Sequence, residues 1–134
     1  MLKTLDKMKK IIRTSNAPAP IGPYNQAISV NNFLYVSGQI AIHPETGNLI
    51  QDNLVEETIM VMKNLSAILK EAGIDFNNVV KTTIFLKDMS YFKTVNEVYG
   101  SYFGDDFPAR ETVAVAGLPL GVNVEISVIA YLNN

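Results

Sequence analysis

Cysteine is absent from this 134-residue chain, and histidine occurs once, at His43. The first absence excludes disulfides, thiol catalysis, iron–sulfur clusters and thiolate zinc sites. The second excludes a multi-histidine metal centre, so no metal and no cofactor is expected. Charge is scarce as well: 18% of residues are charged, with a formal net charge of −2. An acidic balance disfavours general nucleic-acid binding, which needs a polycation. No apolar run approaches the roughly 20 residues of a membrane span. Residues 1–10 alternate lysine with apolar residues and do not read as a secretory signal, so a cytoplasmic protein is the default expectation. What is abundant is apolar: 48% of the chain. A chain of this size can bury about two-thirds of its unfolded surface, enough for one domain with a core of its own. Low charge also suggests that part of the surface is covered by further copies of the chain.

Residues 1–8 read as a loosely held extension and 9–134 as a single domain. A short strand at 9–13 leads into Ala17-Pro18-Ala19-Pro20-Ile21-Gly22-Pro23-Tyr24. Its three prolines fix φ and remove backbone donors, giving a stiff extended loop that delivers Tyr24 to a defined place. Two strands are predicted at 27–30 and 33–42, joined by a tight turn at Asn31-Asn32. In the second, alternation groups Leu34, Val36, Gly38 and Ile40 on one face. Asn53 and Glu56 resemble a capping box opening a helix to about Ala72, with a stripe of Val55, Thr58, Met62, Leu65 and Leu69. A β-branched strand at 79–86 follows, with Val80, Ile84 and Leu86 on one face. A second helix is predicted from a Ser90 cap to Gly104, with a stripe of Phe92, Val95, Tyr99 and Tyr102 and with Asn96 on its flank. Strands at 110–116 and 124–132 close the chain. The order β-β-β-α-β-α-β-β predicts an α+β fold, a mixed sheet with two helices on one face. The other face carries Glu125, Ser127, Ile129 and Tyr131 and has no helix left to cover it. Packing against another subunit is one solution, and a solvated face is the other.

Arginine is rare: nine lysines stand against Arg13 and Arg110. The strand-face companions of Arg110, namely Thr112, Ala114 and Ala116, are small, so a long guanidinium can lie along the sheet toward a pocket. Its planar fork suits a carboxylate or phosphate. Taken alone, a solvated arginine paired with Glu111 or a nearby aspartate is the simpler account. Glu125 opens an apolar strand and could orient a water or move a proton, or be an exposed strand-end residue. Gly38, beside Ser37 in mid-strand, marks either close approach of a ligand or tight packing against a helix. Tyr24 reads as a pocket wall, a proton donor or a core aromatic. Asn96 reads as a ligand contact or a local backbone cap, and His43, before a proline, as exposed and inert. Phosphate-binding glycine loops and the G-x-S-x-G elbow are missing.

Six segments in register then carry a resemblance: Gly22-Pro23-Tyr24, Ser37-Gly38-Gln39, Lys81 through Asp88, Thr94-Val95-Asn96, Phe107-Pro108-Ala109-Arg110 and Val124-Glu125-Ile126. Together they resemble the RidA/YjgF family of reactive-intermediate deaminases, from about Lys9 onward. The resemblance implies a chorismate-mutase-like fold and a homotrimer with a cleft at each subunit interface. It implies hydrolysis of enamines and imines such as 2-aminoacrylate and 2-iminobutanoate to 2-keto acids and ammonia, a form of metabolite damage control. It implies that Arg110 anchors the substrate carboxylate and that Glu125 is associated with the attacking water. Tyr24, Ser37, Gly38 and Asn96 match other cleft positions. Thr112 stands where many members have cysteine, Glu111 replaces a frequent serine and Gly117 a frequent arginine. The competing readings are a non-catalytic sensor of 2-keto acids, a ribonuclease or translation inhibitor, and a partner-binding protein or chaperone.

Overall fold

The structure, a computed structural model, describes residues 9–133. The extension read at residues 1–8 lies outside the described residues. Strands β1 (Lys10–Ile12), β2 (Ala27–Val30) and β3 (Phe33–Gln39) come first. Helix α1 (Leu54–Glu71), β4 (Val79–Leu86), α2 (Phe92–Gly100), β5 (Ala109–Ala114) and β6 (Val124–Tyr131) follow. This is the order read from the sequence. One six-stranded sheet results, in the order β1-β2-β3-β6-β4-β5. Only β4 and β5 pair in parallel; every other neighbouring pair is antiparallel. Asn31 and Asn32 take positive φ of 49° and 67°, as the predicted two-residue hairpin turn requires.

The core lies between the sheet and the two helices. Leu34, Val36, Ile84, Leu86 and the alternate residues Val124, Ile126, Val128 and Ala130 meet Val61, Met62, Leu65, Ile68 and Leu69 of α1. The predicted stripe is buried at Thr58, Met62, Leu65 and Leu69 and is widened by Glu57, Val61, Asn64 and Ile68, also fully buried, while Val55 is 43% exposed. Asn53 Oδ1 accepts from Glu56 N at 3.1 Å, so the predicted cap forms. The second helix differs at both ends. Asp88 rather than Ser90 is the cap, accepting from Ser90 N at 2.8 Å to open a 3₁₀ turn, Met89–Tyr91. The α-helix stops at Gly100, short of Gly104. Among the described residues no helix is long and apolar enough to cross a membrane.

Two β-bulges change which residues share a face. Val36 pairs with Val128, but Gln39 pairs with Ile126, so β3 carries one residue more than β6 there. Gln39 therefore joins the core side, and Gly38 leaves the face predicted for it beside Leu34 and Val36. In β4, Val79 pairs with Ala130 and Lys81 with Ile129, which leaves Val80 as the extra residue and exposes it. Val79 takes the core position that Val80 was expected to share with Ile84 and Leu86, and Thr82 is buried on the same face. The far face of the sheet carries Phe33, Tyr35, Val113 and Tyr131, all exposed.

Candidate functional site

Residues paired directly across strands share a face, so the register assigns each candidate to a side. Arg110 pairs with Thr82, and Thr82 is fully buried on the helix side. Glu125 pairs with Phe85, on the open side. Within one chain the two principal candidates thus face opposite sides of the sheet. Each gathers its own set of neighbours.

On the helix side, Arg110 Nη1 donates to Asn96 Oδ1 at 2.7 Å. Its guanidinium carbon stands 5.6 Å from the Phe92 ring centroid and 5.2 Å from that of Tyr99. Both distances are within cation–π range. Tyr99 is locked in turn, its hydroxyl donating to Thr82 Oγ1 at 2.9 Å. Burial raises the Tyr99 phenol above its ordinary value, with opposing contributions from Thr82 and Arg110, so it stays neutral beside the cation. These groups border a concavity of about 480 Å³ lined by Asn96, Tyr99, Gly100, Phe107, Pro108 and Arg110. Among the described residues Arg110 has no carboxylate partner. Glu111, the predicted partner, projects to the open side and pairs with Lys81 at 3.3 Å, while Thr83 Oγ1 donates to it at 3.2 Å. The Thr112 hydroxyl, on the Arg110 side of β5, is buried without a partner. A cation held by an amide oxygen and two rings keeps its charge available to an outside carboxylate.

On the open side the β3 bulge brings Gly38 against Glu125. A Cβ placed on Gly38 would overlap the Glu125 carboxylate and lie 2.8 Å from its Cδ. Close approach of a side chain, rather than of a helix, is thus what the glycine permits. Burial alone raises the Glu125 carboxyl above the ordinary value. Ser37 Oγ donates to Asn25 O at 2.6 Å, which ties the bulge to the proline loop. Tyr24 is 45% exposed, not a core aromatic. Its hydroxyl accepts from Ile21 N at 3.3 Å, and together with Gly38 it lines a narrow crevice.

The candidates therefore form two clusters on opposite faces: Arg110, Asn96 and Thr112 in one, and Tyr24, Ser37, Gly38 and Glu125 in the other. Sequence reading missed the platform under Arg110. Phe92 and Tyr99 appeared only as an apolar helical stripe, and their spacing of seven was the one available sign that they share a face. His43 is not an inert exposed side chain: it is half-buried, and its Nδ1 accepts from Glu45 N at 3.2 Å and Thr46 N at 3.4 Å. It organises a turn. Among the described residues no group of three or more histidine, cysteine, aspartate or glutamate side chains could hold a metal ion.

Known proteins are similar to this chain in sequence and fold. The family described as endoribonuclease L-PSP matches residues 14–132. The 2-iminobutanoate/2-iminopropanoate deaminase of Mus musculus is 52% identical over 123 residues, covering 92% of this chain and 91% of the mouse protein. The crystal structure of the Rid family protein YyfA from Yersinia pestis superposes with a TM-score of 0.90 at 49% identity, covering 92% of this chain and 99% of that one. Escherichia coli TdcF, solved with bound serine, superposes with a TM-score of 0.88 at 36% identity, covering 92% and 99%. Matched over nearly its whole length, the chain belongs to the endoribonuclease L-PSP family, that of the RidA/YjgF deaminases.

Proposed function

We propose that this protein is an imine deaminase that hydrolyses 2-aminoacrylate and 2-iminobutanoate to 2-keto acids and ammonia, in a cleft completed between two copies of a homotrimer. The observation that carries the reading is the unneutralised Arg110 guanidinium, held by Asn96, Phe92 and Tyr99. The mouse relative's name supplies the reaction, and TdcF's bound serine is an amino acid with the carboxylate such an arginine would take. The trimer is supported by the opposite facing of Arg110 and Glu125 and by the uncovered apolar sheet face. A second copy laid on that face would bring its own half-site toward the first.

The chemistry needs little beyond placement. 2-Aminoacrylate, an enamine, becomes an iminium when its C3 takes a proton, and a protonated imine is already electrophilic at C2. Arg110 and Asn96 hold the substrate carboxylate and fix C2 beside Glu125. Water oxygen bonds to C2 while the C=N π pair moves to nitrogen, and Glu125 takes the proton that water releases. That proton passes to the nitrogen; as the hydroxyl on C2 gives its own proton to Glu125 the carbonyl forms, the C–N bond breaks, and ammonia leaves, taking that last proton as ammonium. The raised carboxyl of Glu125 suits a group that must both accept and return a proton. Tyr24, Ser37, Gly38 and Thr112 shape the cleft around this exchange.

The test couples the protein to threonine dehydratase and threonine and follows loss of the imine. Faster loss supports the deaminase. Binding of 2-keto acids without acceleration makes the protein a sensor. Cleavage of RNA with neither makes it a ribonuclease, for which the turn-bound His43 is a poor acid–base group.

A further inference from the structure

Glu57 is fully buried in the first turn of α1, yet it touches none of the groups assigned above. Among the described residues no cation pairs with it. Both of its carboxylate oxygens are used on one residue: Oε2 accepts from Asn123 N at 2.8 Å and Oε1 from Asn123 Nδ2 at 2.7 Å. The helix N-terminus adds a favourable field for the negative charge. Asn123 is held from its other side too, its carbonyl accepting from Lys87 N at 2.9 Å beyond the last β4–β6 pair. The backbone just before β6 is thereby clamped between α1 and β4. Glu125 is two residues further along, with its carboxylate seated against Gly38 of the β3 bulge.

We infer that Glu57 is a positioning residue for Glu125: by clamping Asn123 it sets where β6 begins, and so where the Glu125 carboxylate stands over Gly38. This rests on the imine-hydrolysing reading given above. A buried carboxylate is a costly way to hold a loop unless the placement matters, because any slip leaves a desolvated group without its partner. The clamp turns that penalty into a restoring force on the strand that carries the proton-transfer group. An apolar side chain at 57 could fill the same space without fixing the strand along its axis.

The donor–acceptor pattern supplies a discriminating test. Asn123→Asp sets a second carboxylate against Glu57. The double variant Glu57→Gln/Asn123→Asp restores complementarity: the introduced amide donates to the introduced carboxylate, and the amide oxygen accepts from the backbone N–H at position 123. In folded, assembled protein, Asn123→Asp should lower kcat for imine hydrolysis about tenfold or more with KM within about twofold, since a small misplacement of a reacting group costs rate rather than binding. The double variant should recover to within about threefold of the unmodified protein. The titration of the ¹³C-labelled Glu125 carboxyl should shift toward the ordinary glutamate range in Asn123→Asp and return in the double variant. Unchanged kcat and Glu125 titration in Asn123→Asp, or a double variant of equal melting temperature that does not recover, would overturn the proposal. Should Asn123→Asp not fold, Asn123→Ala, which loses only the side-chain bond, makes the same comparison, with unchanged kcat and titration again decisive. If the unmodified protein hydrolyses no imine, the deaminase reading fails, and the Glu125 titrations still decide the clamp.

Discussion

Arg110 owes its availability to what surrounds it. Asn96 contributes an oxygen without a charge, and Phe92 and Tyr99 contribute ring faces, so the guanidinium is oriented without being neutralised. Lysine in its place would keep the charge and lose the planar two-point grip on a carboxylate. A hydrogen bond to a charged group contributes about 1.5–3 kcal/mol, so Arg110→Lys should lower kcat/KM for imine hydrolysis roughly ten- to a hundredfold. Arg110→Ala should be worse, and steady-state kinetics on assembled variants checks both. Wild-type rates for Arg110→Ala would remove the arginine from the site. Glu125 makes a pH-dependent prediction. Burial raises its carboxyl in the folded chain above its ordinary value, so the folded state holds that proton to higher pH than the unfolded state. The associated stability is fully present below the unfolded value and is lost as pH rises through the folded one. Glu125→Gln should therefore match the unmodified protein in acid and exceed it in stability at neutral pH, as thermal melts across pH would read. The same substitution should slow hydrolysis by about 10²–10⁴-fold. In the unmodified enzyme the acid limb of the rate profile should fall above the ordinary glutamate value.

At the scale of single elements, the β3 bulge has the largest functional consequence. One extra residue against β6 turns Gly38 to the open face, and its missing side chain leaves the space that Glu125 fills. Gly38→Ala should force the carboxylate aside, costing about 1–3 kcal/mol of stability by overpacking and at least tenfold in kcat. Denaturant melts and kinetics measure the two losses, and a fully active Gly38→Ala protein would show that Glu125 acts from elsewhere. The entry to α2 is the second informative element. Asp88, four residues before Phe92, accepts from Ser90 N and opens the turn that leads into the helix carrying Asn96 and Tyr99. The same bond lowers the Asp88 carboxyl below its ordinary value. Asp88→Ala should lower stability by loss of the cap, while Ser90→Ala, which leaves the accepted backbone N–H in place, should lower it less. Equal costs in urea melts would return the capping role to Ser90.

The whole molecule has two faces of unequal finish. Both helices lie on one side, and the other side leaves Phe33, Tyr35, Val113 and Tyr131 open to solvent around the Lys81–Glu111 pair. A monomer would leave this apolar face unprotected, and it would leave Arg110 and Glu125 separated by the sheet. Sedimentation at micromolar concentration should give the mass of three chains, and imine hydrolysis should fall on dilution as those chains part. A single-chain mass with full activity would place the entire reaction within one subunit and undo the two-half reading.

Element order, the Asn31-Asn32 turn and the Asn53 cap were legible in the sequence because each depends on residues within a few positions of one another. Alternation and helical spacing also put Leu34, Val36, Val124 and Ile126 in the core. Positions 38 and 80 were misassigned because a bulge is set by the partner strand: nothing in Val36-Ser37-Gly38-Gln39 alone states that Val128 and Ile126 will oppose it with one residue fewer. Arg110 and Glu125 could be picked out as candidates by residue type and by resemblance, their types suiting a carboxylate or phosphate anchor and a proton carrier. Their placement on opposite faces, the rings beneath Arg110 and the clamp of Glu57 on Asn123 belong to contacts between residues as much as 66 positions apart. Such contacts form only when the sheet register closes, and that register is a property of the packed strands together.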